Sequence, residues 1–78
     1  MPKTKGVNRD YKIRVLAIER MLSKDRYITA RQIVHRLDLI YDIQADRKTI
    51  YADLIAIDRF LPLEVKAGKY GGYRIMTF

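Results

Sequence analysis

Residues 45–54 read ADRKTIYADL, and they hold the densest run of chemically capable side chains in the chain. Arg47 and Lys48 are adjacent cations, followed by the hydroxyls of Thr49 and Tyr51. Asp46 ahead of them is a strong helix cap, its side-chain oxygen within reach of the amide two or three residues on. A helix beginning there carries its cations in the first turn, where the dipole is already positive and disfavours them. Such a placement makes sense if an anion is to arrive. Guanidinium and ammonium groups take a guanine edge or a phosphate. Hydroxyls and a helix N-terminus add donors for phosphate oxygens.

Catalysis finds no comparable support. There is no nucleophile with a neighbouring base and orienting group, and GKYGG lacks the G-x-x-x-x-G-K-[ST] frame of a phosphate loop. The chain is therefore not expected to be an enzyme, and no cofactor is expected. His35 is the one histidine and cysteine is absent, so neither a metal site nor a disulfide is expected. His35 reads as an exposed helix residue.

The net charge is +7 over 78 residues, and it is unevenly spread. Residues 1–36 hold ten Lys/Arg and three Asp/Glu; residues 37–78 hold six of each. A basic front half suits a polyanion, although surface charge of this kind also serves solubility alone. No apolar run reaches membrane-span length, and the basic N-terminus lacks the apolar core of a secretory signal. A cytoplasmic, nucleoid-associated protein with no membrane partner is the expectation.

Four elements must position the 45–54 segment. Residues 1–8 read as a loose basic arm, with Lys3 and Lys5 joined by Arg9 beyond it, and residues 9–78 as one domain. A first helix is expected from about Asn8 to Leu22 or Ser23. Tyr11, Val15, Ile18 and Leu22 form one apolar row; Ile13, Ala17 and Met21 form another. An arc this wide is central to the core or shared with a second copy. Thr29 and Gln32 then match the capping box, with Ile28 and Ile33 as the hydrophobic staple, so a second helix runs from Ala30 to about Leu39 or Ile40. Ile33, Val34 and Leu37 face inward. Asp42 suits a left-handed turn, and Ile43 plugs back into the core. The third helix, about 46–60, buries Ile50, Leu54, Ile57 and Leu61 and ends before Pro62. Alternation in PLEVKAG and GYRIM around GKYGG gives a β-hairpin over about 63–77. The expected fold class is α+β, mostly helical: three helices followed by a hairpin.

Two helices joined by a tight turn, the second polar at its start, is helix-turn-helix logic, and the hairpin is then a wing. TARQIVHRLDLIYDIQADRKTIYADLIAID followed by GGYRI resembles the winged helix-turn-helix at the N-terminus of bacterial WYL-domain and DeoR-type transcription regulators, over about residues 9–76. The resemblance implies sequence-specific binding of double-stranded DNA by a small bacterial or phage regulator. The helix beginning at Asp46 would enter the major groove. Arg31, Arg47, Lys48, Thr49 and Tyr51 would be DNA contacts, with Lys69 and Tyr70 at the tip of the wing. Three positions depart from the family pattern: Asp42 for glycine, Ala52 for arginine, and Ile55 for a polar residue. Ile55 then suggests a protein contact or a thymine methyl contact. The family's ligand-sensing region would follow the hairpin, and no small-molecule effector domain is expected within these residues.

A homodimer is expected, with Ile55, Phe78 and the second apolar row of the first helix as candidate surfaces. Asp53 is expected to be structural, paired with Arg31 or Arg36. The rival reading is a winged helix used as a protein-interaction module. Another is a single-strand binder stacking on Tyr27, Tyr51 and Tyr70.

Overall fold

Each helix after the first begins where a local cap dictates. In the computed structural model, which describes residues 2–69 and 71–77 with side chains from Tyr11 onward, the order is α1 (Pro2–Met21), α2 (Ala30–Tyr41), α3 (Arg47–Asp58), β1 (Leu63–Lys66) and β2 (Gly72–Ile75). This is a small α+β domain of three helices followed by a two-stranded antiparallel hairpin.

Thr29 caps α2 with a reciprocal box. The Gln32 amide donates to Thr29 Oγ1 (3.1 Å), and the Thr29 amide donates to Gln32 Oε1 (2.9 Å). Two otherwise orphan donors are satisfied at once. At the other end Asp42 adopts φ 55° and ψ 39°, a left-handed cap that aspartate tolerates. The Ile43 amide then donates back to the Leu37 carbonyl (3.0 Å), which folds Ile43 onto the core. Asp46 caps α3 by accepting from the Thr49 amide (2.8 Å). Pro62 disfavours helix at the residue before it. The chain leaves α3 after Asp58 through a tight turn, with Phe60 and Leu61 amides both donating to the Ile57 carbonyl.

The first helix differs from expectation at its start. It runs through the residues read as an arm, beginning at Pro2 rather than near Asn8. Proline suits the first helical position, where its missing N–H costs nothing. Gly6 within the helix is unfavourable by only about 1 kcal/mol. The apolar rows also divide differently. Ala17, Ile18 and Leu22 are buried and Val15 and Met21 pack against the core, whereas Tyr11, Ile13 and Leu16 are exposed.

Ile18, Ile33, Leu37, Ile50, Leu54 and Ile57 fill the centre, two from α2, three from α3 and one from α1. The hairpin closes one end. Its register pairs Leu63 with Ile75, Glu64 with Arg74, Val65 with Tyr73 and Lys66 with Gly72. Strand β2 is further pinned to the segment ahead of α2. Ile28 and Tyr73 exchange backbone bonds (2.9 and 2.8 Å), and the Ile75 amide donates to the Ser23 carbonyl (2.8 Å). Gly72 makes that approach possible. Its φ is +134°, and a Cβ there would lie 2.4 Å from the Ile28 carbonyl oxygen.

Candidate nucleic-acid interface

The rotation of α3 about its own axis decides which side chains face out, and a buried ion pair helps set it. Asp53 is 3% exposed. The Arg14 guanidinium reaches it from α1, with Nε donating to Oδ2 and Nη2 donating to Oδ1 (3.0 Å). This two-pronged geometry is the one in which arginine binds carboxylate best. Arg14 also lies over the Tyr11 ring at 5.1 Å. Donating these hydrogen bonds to Asp53 holds the guanidinium pKa above its ordinary value despite partial burial. The expected pairing of Asp53 with Arg31 or Arg36 is thus corrected: Asp53 points toward α1, while Arg31 and Arg36 lie on exposed positions of α2.

With Ile50, Asp53, Leu54 and Ile57 turned inward, the outward side of α3 carries Arg47, Lys48, Tyr51, Ala52 and Ile55, all exposed. Arg47 and Lys48 therefore stand in solvent at the head of the helix. Thr49 is half-buried and committed to the cap. Its amide donates to Asp46, and its hydroxyl also supports that carboxylate. These bonds, aided by Lys48, hold the Asp46 carboxyl below its usual range.

Arg31 is exposed in the first turn of α2 and borders an open depression of about 770 Å³, lined also by His35, Arg36 and Gln44. His35 is exposed, matching its sequence reading. Arg31 and Arg36 bring two cations to a hollow that also borders the connection leading into α3.

On its other flank α3 meets the hairpin. Tyr51, 44% exposed, lines a groove of about 330 Å³ with Leu54, Ile55, Leu63, Val65 and Tyr73. Partial burial raises the Tyr73 hydroxyl pKa. Lys69 is exposed in the hairpin loop. Tyr70 and Phe78, and the side chains of Lys3, Lys5 and Arg9, lie outside the described residues.

No protein-family model, curated protein or solved structure matches the chain.

Two arrangements have no plain signal in the sequence. The Arg14–Asp53 pair spans 39 positions, so no local pattern announces it. Tyr27 sits under both Arg74 (4.7 Å from the ring centroid) and Lys66 (5.6 Å), and its hydroxyl donates to Glu64. That bond, with a further one from Arg74, keeps the Glu64 carboxyl low, and the same contact with Glu64 raises the Tyr27 hydroxyl. Tyr27 is thus engaged by the hairpin, which leaves it poorly placed as a stacking platform. A third residue, Arg59, is legible by spacing: it follows Lys48 by eleven positions and so shares its face. Among the described residues, no helix is long and apolar enough to cross a membrane.

Proposed function

We propose that this chain is a winged helix-turn-helix protein that binds double-stranded DNA sequence-specifically and acts as a small bacterial or phage transcription regulator. The observation that carries the reading is the outward side of α3: two exposed cations in its first turn, on a helix whose opposite side buries Ile50, Asp53, Leu54 and Ile57. The element order supports it, since α2, a tight left-handed turn and α3 are followed at once by a hairpin. In this reading Arg31, exposed in the first turn of α2, meets the phosphate backbone from the preceding helix, and Lys69, exposed in the hairpin loop, meets it from the wing.

In this reading α3 lies in the major groove. Arg47 and Lys48 meet base edges or phosphates. Tyr51 contacts the groove wall, and Thr49 acts chiefly by holding the cap. A homodimer would present two such helices about 34–36 Å apart, one turn of duplex. Exposed Tyr11, Ile13 and Leu16 on α1 favour pairing through that helix.

The protein-docking alternative draws on a different surface. Leu39 and Ile40 are exposed at the end of α2, and Phe60 follows α3. The two readings separate on salt. Neutralising phosphates releases counterions, so log K for duplex falls with log salt by about 0.9 per phosphate contact. Titrating a labelled random-sequence duplex at two salt concentrations should give a steep slope that falls by about 1 for a variant lacking one phosphate contact. Absence of duplex binding at low salt would favour docking.

A further inference from the structure

The stripe of α3 most directly opposed to the core is Lys48, Ala52 and Ile55, extended by Arg59 at the C-cap, at spacings of four, three and four. All four are exposed, and Ile55 is 70% so. At 1.5 Å per residue, Lys48 and Arg59 are about 16 Å apart along the axis. The stripe is cationic at both ends and apolar between them. Exposed Ala56 borders it on one side, and on the other it continues through the Tyr51 groove, which Asp58 also lines while accepting from the Leu63 amide (2.7 Å), to Val65 of the hairpin, which is 64% exposed.

An apolar protein partner would account for Ile55 and Val65 but not for cations closing both ends. An anionic body with an apolar feature at its centre accounts for both. The major groove of DNA is about 12 Å wide between phosphate rows, so a stripe of this length reaches both walls. The one apolar group that base pairs display there is the C5-methyl of thymine.

We propose that Ala52 and Ile55 are specificity residues that read thymine methyl groups, with Lys48 and Arg59 on the flanking phosphate rows. The centre of each half-site then carries thymine. This rests on the DNA-binding reading above and adds to it the base that α3 selects.

The test starts from the duplex that wild-type protein selects out of a random pool. Each thymine is replaced singly by deoxyuridine, which deletes the methyl and leaves every hydrogen-bonding atom in place. Affinities are measured by fluorescence anisotropy for wild type, Ile55→Val and Ile55→Ala. Ile55 is largely solvent-exposed, so both variants are expected to fold, and circular dichroism checks this. Wild type should bind about fourfold more weakly for each contacted methyl removed. Ile55→Ala should lose the thymine–uracil difference at one position, with Ile55→Val between the two. Restoring the methyl as 5-methylcytosine, in a cytosine-substituted site, should recover part of the binding. A selected duplex that wild type binds equally well with thymine or uracil throughout would overturn the methyl-reading role while leaving sequence-specific binding intact. A pool that enriches nothing would overturn both.

Discussion

Replacing Arg14 with leucine should remove a large share of this domain's stability. Asp53 is 3% exposed and its carboxylate receives both of its side-chain bonds from the Arg14 guanidinium. Losing one partner of a fully buried pair costs about 3–5 kcal/mol, because a charge is left in a poor solvent. Here the Arg14 side chain keeps 16% exposure, so water reaches one side of the pair and the cost falls to about 2–4 kcal/mol. A chain of this length is stable by only about 4–12 kcal/mol. The loss should therefore appear as a drop of about 8–32 °C in Tm, at about 4–8 °C per kcal/mol. Urea unfolding followed by far-ultraviolet circular dichroism measures it directly. The double variant Arg14→Leu with Asp53→Leu should regain most of the loss, since an apolar pair leaves no orphan charge. An Arg14→Leu protein within about 0.5 kcal/mol of wild type would behave as an ordinary surface substitution. That result would refute the claim that this pair fixes α3 against α1.

Arg47→Ala and Lys48→Ala should each weaken duplex binding, by about 1–3 kcal/mol where the side chain meets a base, with unfolding midpoints unchanged. Anisotropy and thermal melts check the two halves of that statement. Gly72→Ala should destabilise the fold and break the Ile28–Tyr73 pairing, visible as lost amide protection at those two residues, because its Cβ would collide with the Ile28 carbonyl. The carboxyls of Asp46 and Glu64 are held below their unfolded values, near 3.9 and 4.3. Their contribution is therefore complete above about pH 5 and is lost as pH falls through the folded-state values. Asp46→Asn, which keeps an oxygen for the cap, should flatten that acid limb in a pH series of urea midpoints.

Local chemistry explains which parts of the fold the sequence discloses. The boundaries of α2 and the start of α3 follow from Thr29, Gln32, Asp42 and Asp46, whose effects act within a few residues. The buried stripe of α3 is legible through Ile50, Leu54 and Ile57, which period defines, whereas Leu61, expected in the same row, lies beyond the end of the helix and is only partly buried. The side of α3 that faces out is legible for the same reason, which is why Arg47, Lys48, Tyr51 and Ile55 emerge together on one exposed face. Long-range partnerships are not legible. Asp53 reads as a single acid in the largely apolar run IYADLIAI, and only packing of α1 across α3 reveals Arg14 as its partner. The pairing of Ile28 with Tyr73 is equally hidden, since Ile28 looks sufficient as a staple before the cap. The early start of α1 was obscured by Gly6 and Pro2, residues that punctuate loops more often than they open helices.

The most direct test of the central claim is selection of bound duplexes from a random DNA pool, repeated at two salt concentrations. The account predicts an enriched, roughly palindromic motif whose half-sites are about one helical turn apart and which survives the higher salt. Binding that fades with salt and enriches no sequence would leave only the electrostatic attraction of a basic protein. It would contradict sequence-specific recognition by α3.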